Sequence, residues 1–118
     1  MKRKPFLQSL SQFINRSFII RVPFLGVNGM ALFPFILIRE GKPSARLLNH
    51  ERIHHRQQLE LLIVPFYVWY LLEYLRNRLH GQEHYTAYVN IRFEREAYHH
   101  DADLNYLKKR KFWAFLEY

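Results

Sequence analysis

Cysteine is absent from this 118-residue sequence. That excludes a disulfide framework and any Cys-ligated metal, so a metal site here must be built from histidine and carboxylates. A cysteine-free chain is compatible with a cytoplasmic location without requiring one. Glycine is scarce, with four residues, and no Gly-rich phosphate loop is present. Acidic residues are few as well. Ten Asp and Glu against eighteen Lys and Arg leave a net charge of +8. A surplus of that size favours acidic partners without choosing among them. Base-readout motifs and RNA-binding aromatic signatures are missing, so nucleic acid is not the expected partner. A basic solvated surface accounts for the charge more simply, and contact with a membrane surface stays open.

Long apolar runs are also lacking. The longest, Leu61 to Leu72, is interrupted by Pro65 and falls short of the roughly 20 residues a membrane span needs. It suits a buried or interfacial helix. The N-terminus begins Met1-Lys2-Arg3-Lys4, like a signal peptide, but Gln8, Ser9, Ser11, Gln12, Asn15 and Arg16 break any apolar stretch. No secretory signal is expected.

What is present points to a folded core. Apolar residues make up 49% of the chain and aromatics 17%, too much for disorder. The length predicts one domain over 1–118. Phe6, Leu7, Leu10, Phe13 and Ile14 recur at helical spacing, which predicts an amphipathic helix within 1–17. It packs across the core on the favoured reading, and lies on a membrane on the sharper one. Phe18 to Phe24 and Met30 to Ile38 read as strands, with Asn28-Gly29 between them as a turn signal. A β-hairpin is the expectation, with Pro23 and Pro34 at edges or bulges.

Ser44 is a plausible N-cap for a helix from about Ala45, and Pro65 should end or kink it. Phe66 to Leu79 predicts a second helix closed by Gly81, then a short helix within 82–90. Asn90 would cap a last helix running from Ile91 to about Lys109. The whole predicts a mostly helical α+β domain.

On the first of these helices the sequence reads His50-Glu51-Arg52-Ile53-His54, an H-E-x-x-H motif. Residues four apart share a helix face, so His50 and His54 can reach one metal ion. Glu51 stands one step round, where a base can take a proton from a metal-activated water. With seven histidines in the chain, a chance match has odds of roughly three in a hundred. The helical context is therefore what gives the motif weight. A catalytic zinc wants three protein ligands. A carboxylate from the later segment Phe93-Glu94-Arg95-Glu96-Ala97-Tyr98 would complete the set.

H-E-x-x-H followed by a helical Glu-x-x-Ala resembles the gluzincin branch of the zincin metallopeptidases over roughly residues 30–107. The short length fits its minimal, single-domain versions. His50 to Gln58 also resembles the H-E-x-x-H-x-x-Q of small bacterial zincin-like proteins of unknown function. The resemblance implies Zn2+ as cofactor, a peptide or protein substrate, and hydrolysis with Glu51 as general base. It implies a strand at the upper rim of the cleft, a place that Met30 to Ile38 would fill. By position it makes Glu94 the third ligand, three residues before Ala97. Many gluzincins carry an acidic residue four beyond that Glu to support a ligand histidine. Tyr98 stands there in this sequence. Either its hydroxyl or Asp101, one turn on, would take the supporting role.

Glu96 is the rival ligand. Helix geometry puts Glu94, Tyr98 and Asp101 on one face and Glu96 about half a turn away, which favours Glu94. His55 points off the His50/His54 face and is expected to be exposed. Gln57 and Gln58 either bond across the cleft or end the polar face. His100 reads as a satisfied core histidine. His80 and His84 would reach a metal only if their loop folds over it. The alternative to a peptidase is a zincin-like module that binds metal or a membrane without turnover.

Overall fold

The computed structural model describes residues 18–118, so the amphipathic stretch 1–17 lies outside the described residues. The fold is α+β, with a three-stranded sheet near the N-terminus followed by helices. Strands β1 (Phe18–Arg21), β2 (Gly29–Leu32) and β3 (Phe35–Ile38) lie in the order β1-β3-β2. β1 runs parallel to β3, and β2 runs antiparallel to it.

This corrects the expected hairpin. The chain reverses before Gly29, but β1 does not pair with the strand that follows. A second reversal at Phe33-Pro34, whose bond is cis, splits 30–38 into β2 and β3, and these two form the hairpin. Proline cannot donate to a ladder, and Pro34 sits in the turn where no donor is needed. Asn28 is instead part of the ladder, its carbonyl accepting from the Arg39 amide at 3.1 Å. Gly29 serves close approach, not a turn. A Cβ there would lie 3.1 Å from both Glu51 Oε2 and Leu47 Cδ1. Side chains alternate along the sheet, and Ala31, Ile36 and Ile38 are its buried members.

Helix α1 (Ala45–Glu60) packs against β2 and β3. Ser44 caps it, its hydroxyl accepting from the Leu47 amide at 3.0 Å. The helix stops before Pro65. Leu62 and Ile63 take positive φ values of 62° and 64°, and the chain bends by 112° into α2 (Val64–Leu79). Pro65 then falls in the first turn of α2, where its missing N–H costs nothing. Gly81, at φ +89°, follows the end of α2. The short helix α3 (His84–Val89) follows, capped by the Glu83 carboxylate, which accepts from the Thr86 amide at 2.8 Å.

The last predicted helix is interrupted. Asn90 ends α3 instead of capping the next helix. Helix α4 (Arg92–His100) stops at His100, and α5 (Tyr106–Lys109) starts after a turn. The cause is Asn49 on α1. Its amide donates to the carbonyls of Asp101 at 2.8 Å and Asp103 at 3.0 Å, which fixes the backbone there as a turn.

Phe66, Ile91, Phe93 and Phe115 form one buried cluster, and Ile53, Ala97 and Tyr106 another. The basic, aromatic C-terminal segment from Lys108 to Tyr118 is anchored by this packing. Its Phe115, in a 3-10 turn over Ala114–Glu117, is fully buried.

Arg110 locks this end in place. Its guanidinium bonds Glu60 at 2.7 and 3.0 Å and Glu96 at 2.5 and 3.1 Å. All three side chains are at most 4% exposed. Removing one partner of a buried ion pair leaves the others uncompensated. Arg110→Met should therefore lower the unfolding free energy by about 3–5 kcal/mol, read from urea denaturation. A change within error would mean that the network contributes nothing net.

Candidate metal centre

α1 is polar on the side it buries. Asn49, His50, Glu51, His54, His55, Gln57 and Gln58 are all buried. Two of them meet the first turn of α4. His50 Nε2 and His54 Nε2 lie 3.2 Å apart, and Glu94 Oε1 lies 3.0 Å from one and 3.1 Å from the other. This trio can hold a metal ion. A tetrahedral zinc with bonds of about 2.0–2.1 Å holds its ligand atoms about 3.3 Å apart, close to the triangle seen. Three protein ligands is also the count of catalytic zinc sites.

The surrounding hydrogen bonds sharpen the point. His50 Nδ1 donates to Asp101 Oδ2 at 3.0 Å. The Gln57 amide nitrogen donates to the Phe93 carbonyl at 3.1 Å and to Glu96 at 2.9 Å. Its oxygen therefore accepts, and His54 Nδ1 donates to it at 2.7 Å. Both imidazoles carry their proton on Nδ1, so both Nε2 lone pairs turn toward the Glu94 oxygen. Three acceptors converging on one point require a cation between them, either a proton or a metal.

The electrostatics agree. Burial opposes a charged His54, but the Glu94 charge and hydrogen bond outweigh it, and the His54 pKa rises to about 9. Burial also opposes an ionised Glu94, but His54 and His50 hold its carboxyl well below the usual range. The other Glu94 oxygen accepts from the Tyr70 hydroxyl at 2.5 Å. Burial first, and then Glu94, push the Tyr70 pKa up, so this hydroxyl stays a donor.

Glu51 is buried beside the trio. Burial raises its pKa, the nearby histidines pull it down, and the net effect is upward. With His54, Glu94, Tyr67, Tyr70 and Tyr88 it lines a cavity of about 170 Å³ under Gly29 to Ala31. A larger recess of about 570 Å³ shares Val27, Gly29 and Tyr88 with that cavity and opens on the His50 side.

Asp101 bonds to His50, and Arg46 donates to the other Asp101 oxygen at 2.7 Å. Tyr98 instead lays its ring edge-on to His50, with centroids 4.5 Å apart, and its hydroxyl bonds Tyr88 at 3.1 Å. Glu96 is outside the trio, held by Arg110, Tyr106 and Gln57. His55 is buried, contrary to the expected exposure. The sheet covers that side of α1, and His55 Nε2 donates to the Phe35 carbonyl at 2.8 Å. His100 stacks on Tyr106. His84 bonds Tyr74 and lines the larger recess but is not a member of the trio.

No family model, curated protein or solved structure matches this chain. The geometry therefore carries the functional argument.

Tyr70, Tyr67 and Gly29 had no readable signal, because only the bend between α1 and α2 and the β2 register bring them here. Gln57 had one, standing three residues after His54 on the same helix.

The raised His54 pKa has a sign. Without metal, the stability from the charged His54–Glu94 pair is fully present below pH 6.5 and is lost as pH climbs through about 9. We expect a fall of up to about 3 kcal/mol over that window. Zinc competes for the same lone pair, so its affinity should rise with pH over the same range. Thermal unfolding with and without zinc reads both, and flat stability from pH 6 to 9 in the metal-free chain would contradict the ion pair. Gln57→Leu and Asp101→Asn should each weaken zinc binding by about 10–100-fold, measured by competition with a chromogenic chelator.

Proposed function

We propose that this chain is a zinc-dependent peptidase. The observation that carries the reading is Glu51. It is a buried carboxylate with a raised pKa, in the same cavity as the His54–Glu94 pair and beneath the edge of β2. His50, His54 and Glu94 would hold the ion. Zinc supplies a Lewis acid that acidifies water and polarises a carbonyl oxygen.

The protein groups then have defined work. Glu51 takes a proton from the attacking water and returns it to the leaving amine nitrogen. Its raised pKa brings it toward the range where both transfers are easy. Asp101 and Gln57 fix the tautomers of the two histidines. Tyr70, kept protonated, holds Glu94 in place.

The substrate class comes from β2. It is one of the two edge strands of the sheet and the one that lies over Glu51. Asn28, Met30 and Leu32 bond to β3 in the alternating antiparallel pattern, which turns the N–H and C=O groups of Gly29 and Ala31 outward. The Ala31 carbonyl is already taken by Gln58 at 3.0 Å and Tyr67 at 2.5 Å. The Gly29 groups and the Ala31 N–H remain among the described residues to pair with an extended peptide. Such a peptide would pass directly over Glu51.

One observation favours a second reading, a metal-binding module without turnover. Glu51, Glu94, His50 and His54 are each only 4–6% exposed, as in a structural site.

Glu51→Gln separates the two. With zinc bound and an internally quenched peptide library as substrate, Glu51→Gln should keep the metal and lose at least about a hundredfold in kcat/KM. Glu94→Ala should lose the metal itself. A zinc-loaded parent that cleaves no peptide would leave only the binding module standing.

A further inference from the structure

The outer face of α2 is apolar and uncovered. Val64, Val68, Leu71, Leu72, Leu75 and Leu79 are 46–86% exposed, and Leu62, in the turn before them, is 78% exposed. At 100° per residue the six helical positions fall within an arc of about 100°. Along the axis the stripe runs the length of the helix, about 24 Å. The opposite face is committed. Phe66 is in the core, Tyr70 bonds Glu94, and Tyr74 packs on the Phe66 cluster. The leucines are therefore not a misplaced core face. Scattered single apolar residues on a surface are ordinary, but a continuous stripe of this kind marks a contact surface.

Charge selects the partner. Arg76 and Arg78 are exposed and border the stripe on its two sides, at about +120° and −40° on the wheel that sets Val64 to zero. Long arginine stems can lie along an apolar surface while their heads reach its polar boundary. The whole chain carries +8. An anionic surface neutralises these charges. No single described helix is long and apolar enough to cross a membrane. The fit is therefore to a helix lying in the plane of the interface.

We propose that α2 docks the protein on an anionic lipid bilayer, with the Val64–Leu79 stripe in the acyl boundary and Arg76 and Arg78 among the headgroups. This stands independently of the metal centre, which lies on the other side of the helix.

The test is co-sedimentation of the full chain with two vesicle types, pure phosphatidylcholine and phosphatidylcholine containing phosphatidylglycerol. Binding should favour the anionic vesicles and weaken with salt. Leu72→Ser/Leu75→Ser/Leu79→Ser should abolish it while circular dichroism and zinc binding stay unchanged. Arg76→Gln and Arg78→Gln should each weaken it by about fivefold. Binding that survives the leucine substitutions would overturn the proposal, as would absence of binding to either vesicle. A lipid-free dimer that the same leucine substitutions dissociate would also overturn it, because the stripe would then be a self-contact.

Discussion

The structure depends on one constraint. Helix α1 buries seven polar side chains, and each of them must find a partner away from water. An unpaired buried donor or acceptor costs about 1–3 kcal/mol, so a helix of this kind is stable only inside a shell that answers it group by group. The shell does so. The sheet supplies the Phe35 carbonyl to His55 and the Ala31 carbonyl and Phe33 amide to Gln58. α4 supplies Glu94 to the two histidines and Phe93 and Glu96 to Gln57. The turn after α4 supplies carbonyls to Asn49 and a carboxylate to His50. Among the described residues no buried side-chain nitrogen or oxygen lacks a partner. Folding the domain and assembling the site are thus one process.

That arrangement also makes the site rigid. His54 is held by Gln57, Gln57 by Glu96, and Glu96 by Arg110, which reaches back to Glu60 at the end of the motif helix. The path is closed and buried, so moving the C-terminal turn would disturb His54. Within this frame, acceptors outnumber donors at one point. Nε2 of both histidines and Oε1 of Glu94 lie within 3.2 Å of one another. The frame resists the relaxation that would separate them, and a cation is the remaining way to relieve the repulsion.

What was legible in the sequence was local. Helical periodicity placed His50 and His54 on one face, Ser44 announced the helix start, and Gly81 announced the end of α2. Each depends on residues within a turn of one another. What escaped depends on distant partners. His55 is buried because a sheet arrives over it, and no property of its neighbours on α1 reveals that. Asn28-Gly29 has the composition of a turn, yet Gly29 is there to make room for a carboxylate more than twenty positions away. A helix from Ile91 to Lys109 is reasonable by periodicity, but two hydrogen bonds from Asn49 override it near Asp101. The trio was partly visible: the two histidines by spacing, Glu94 by resemblance and helix face, and its contact with Tyr70 not at all.

The same long-range packing places the two carboxylates differently. Glu94 and Glu51 share a cavity with His54. The charges of His54 and His50 outweigh the burial of Glu94, so its negative charge is stabilised and its pKa falls. Glu51 is buried against the backbone of Gly29, where desolvation outweighs the histidines and its pKa rises. One carboxylate is thereby suited to hold a cation permanently and the other to exchange a proton. Divergent environments for neighbouring acids are how a protein assigns such roles. Here the split follows from which element each residue faces: α2 supplies a hydroxyl to Glu94, whereas the edge of β2 meets Glu51 with a glycine.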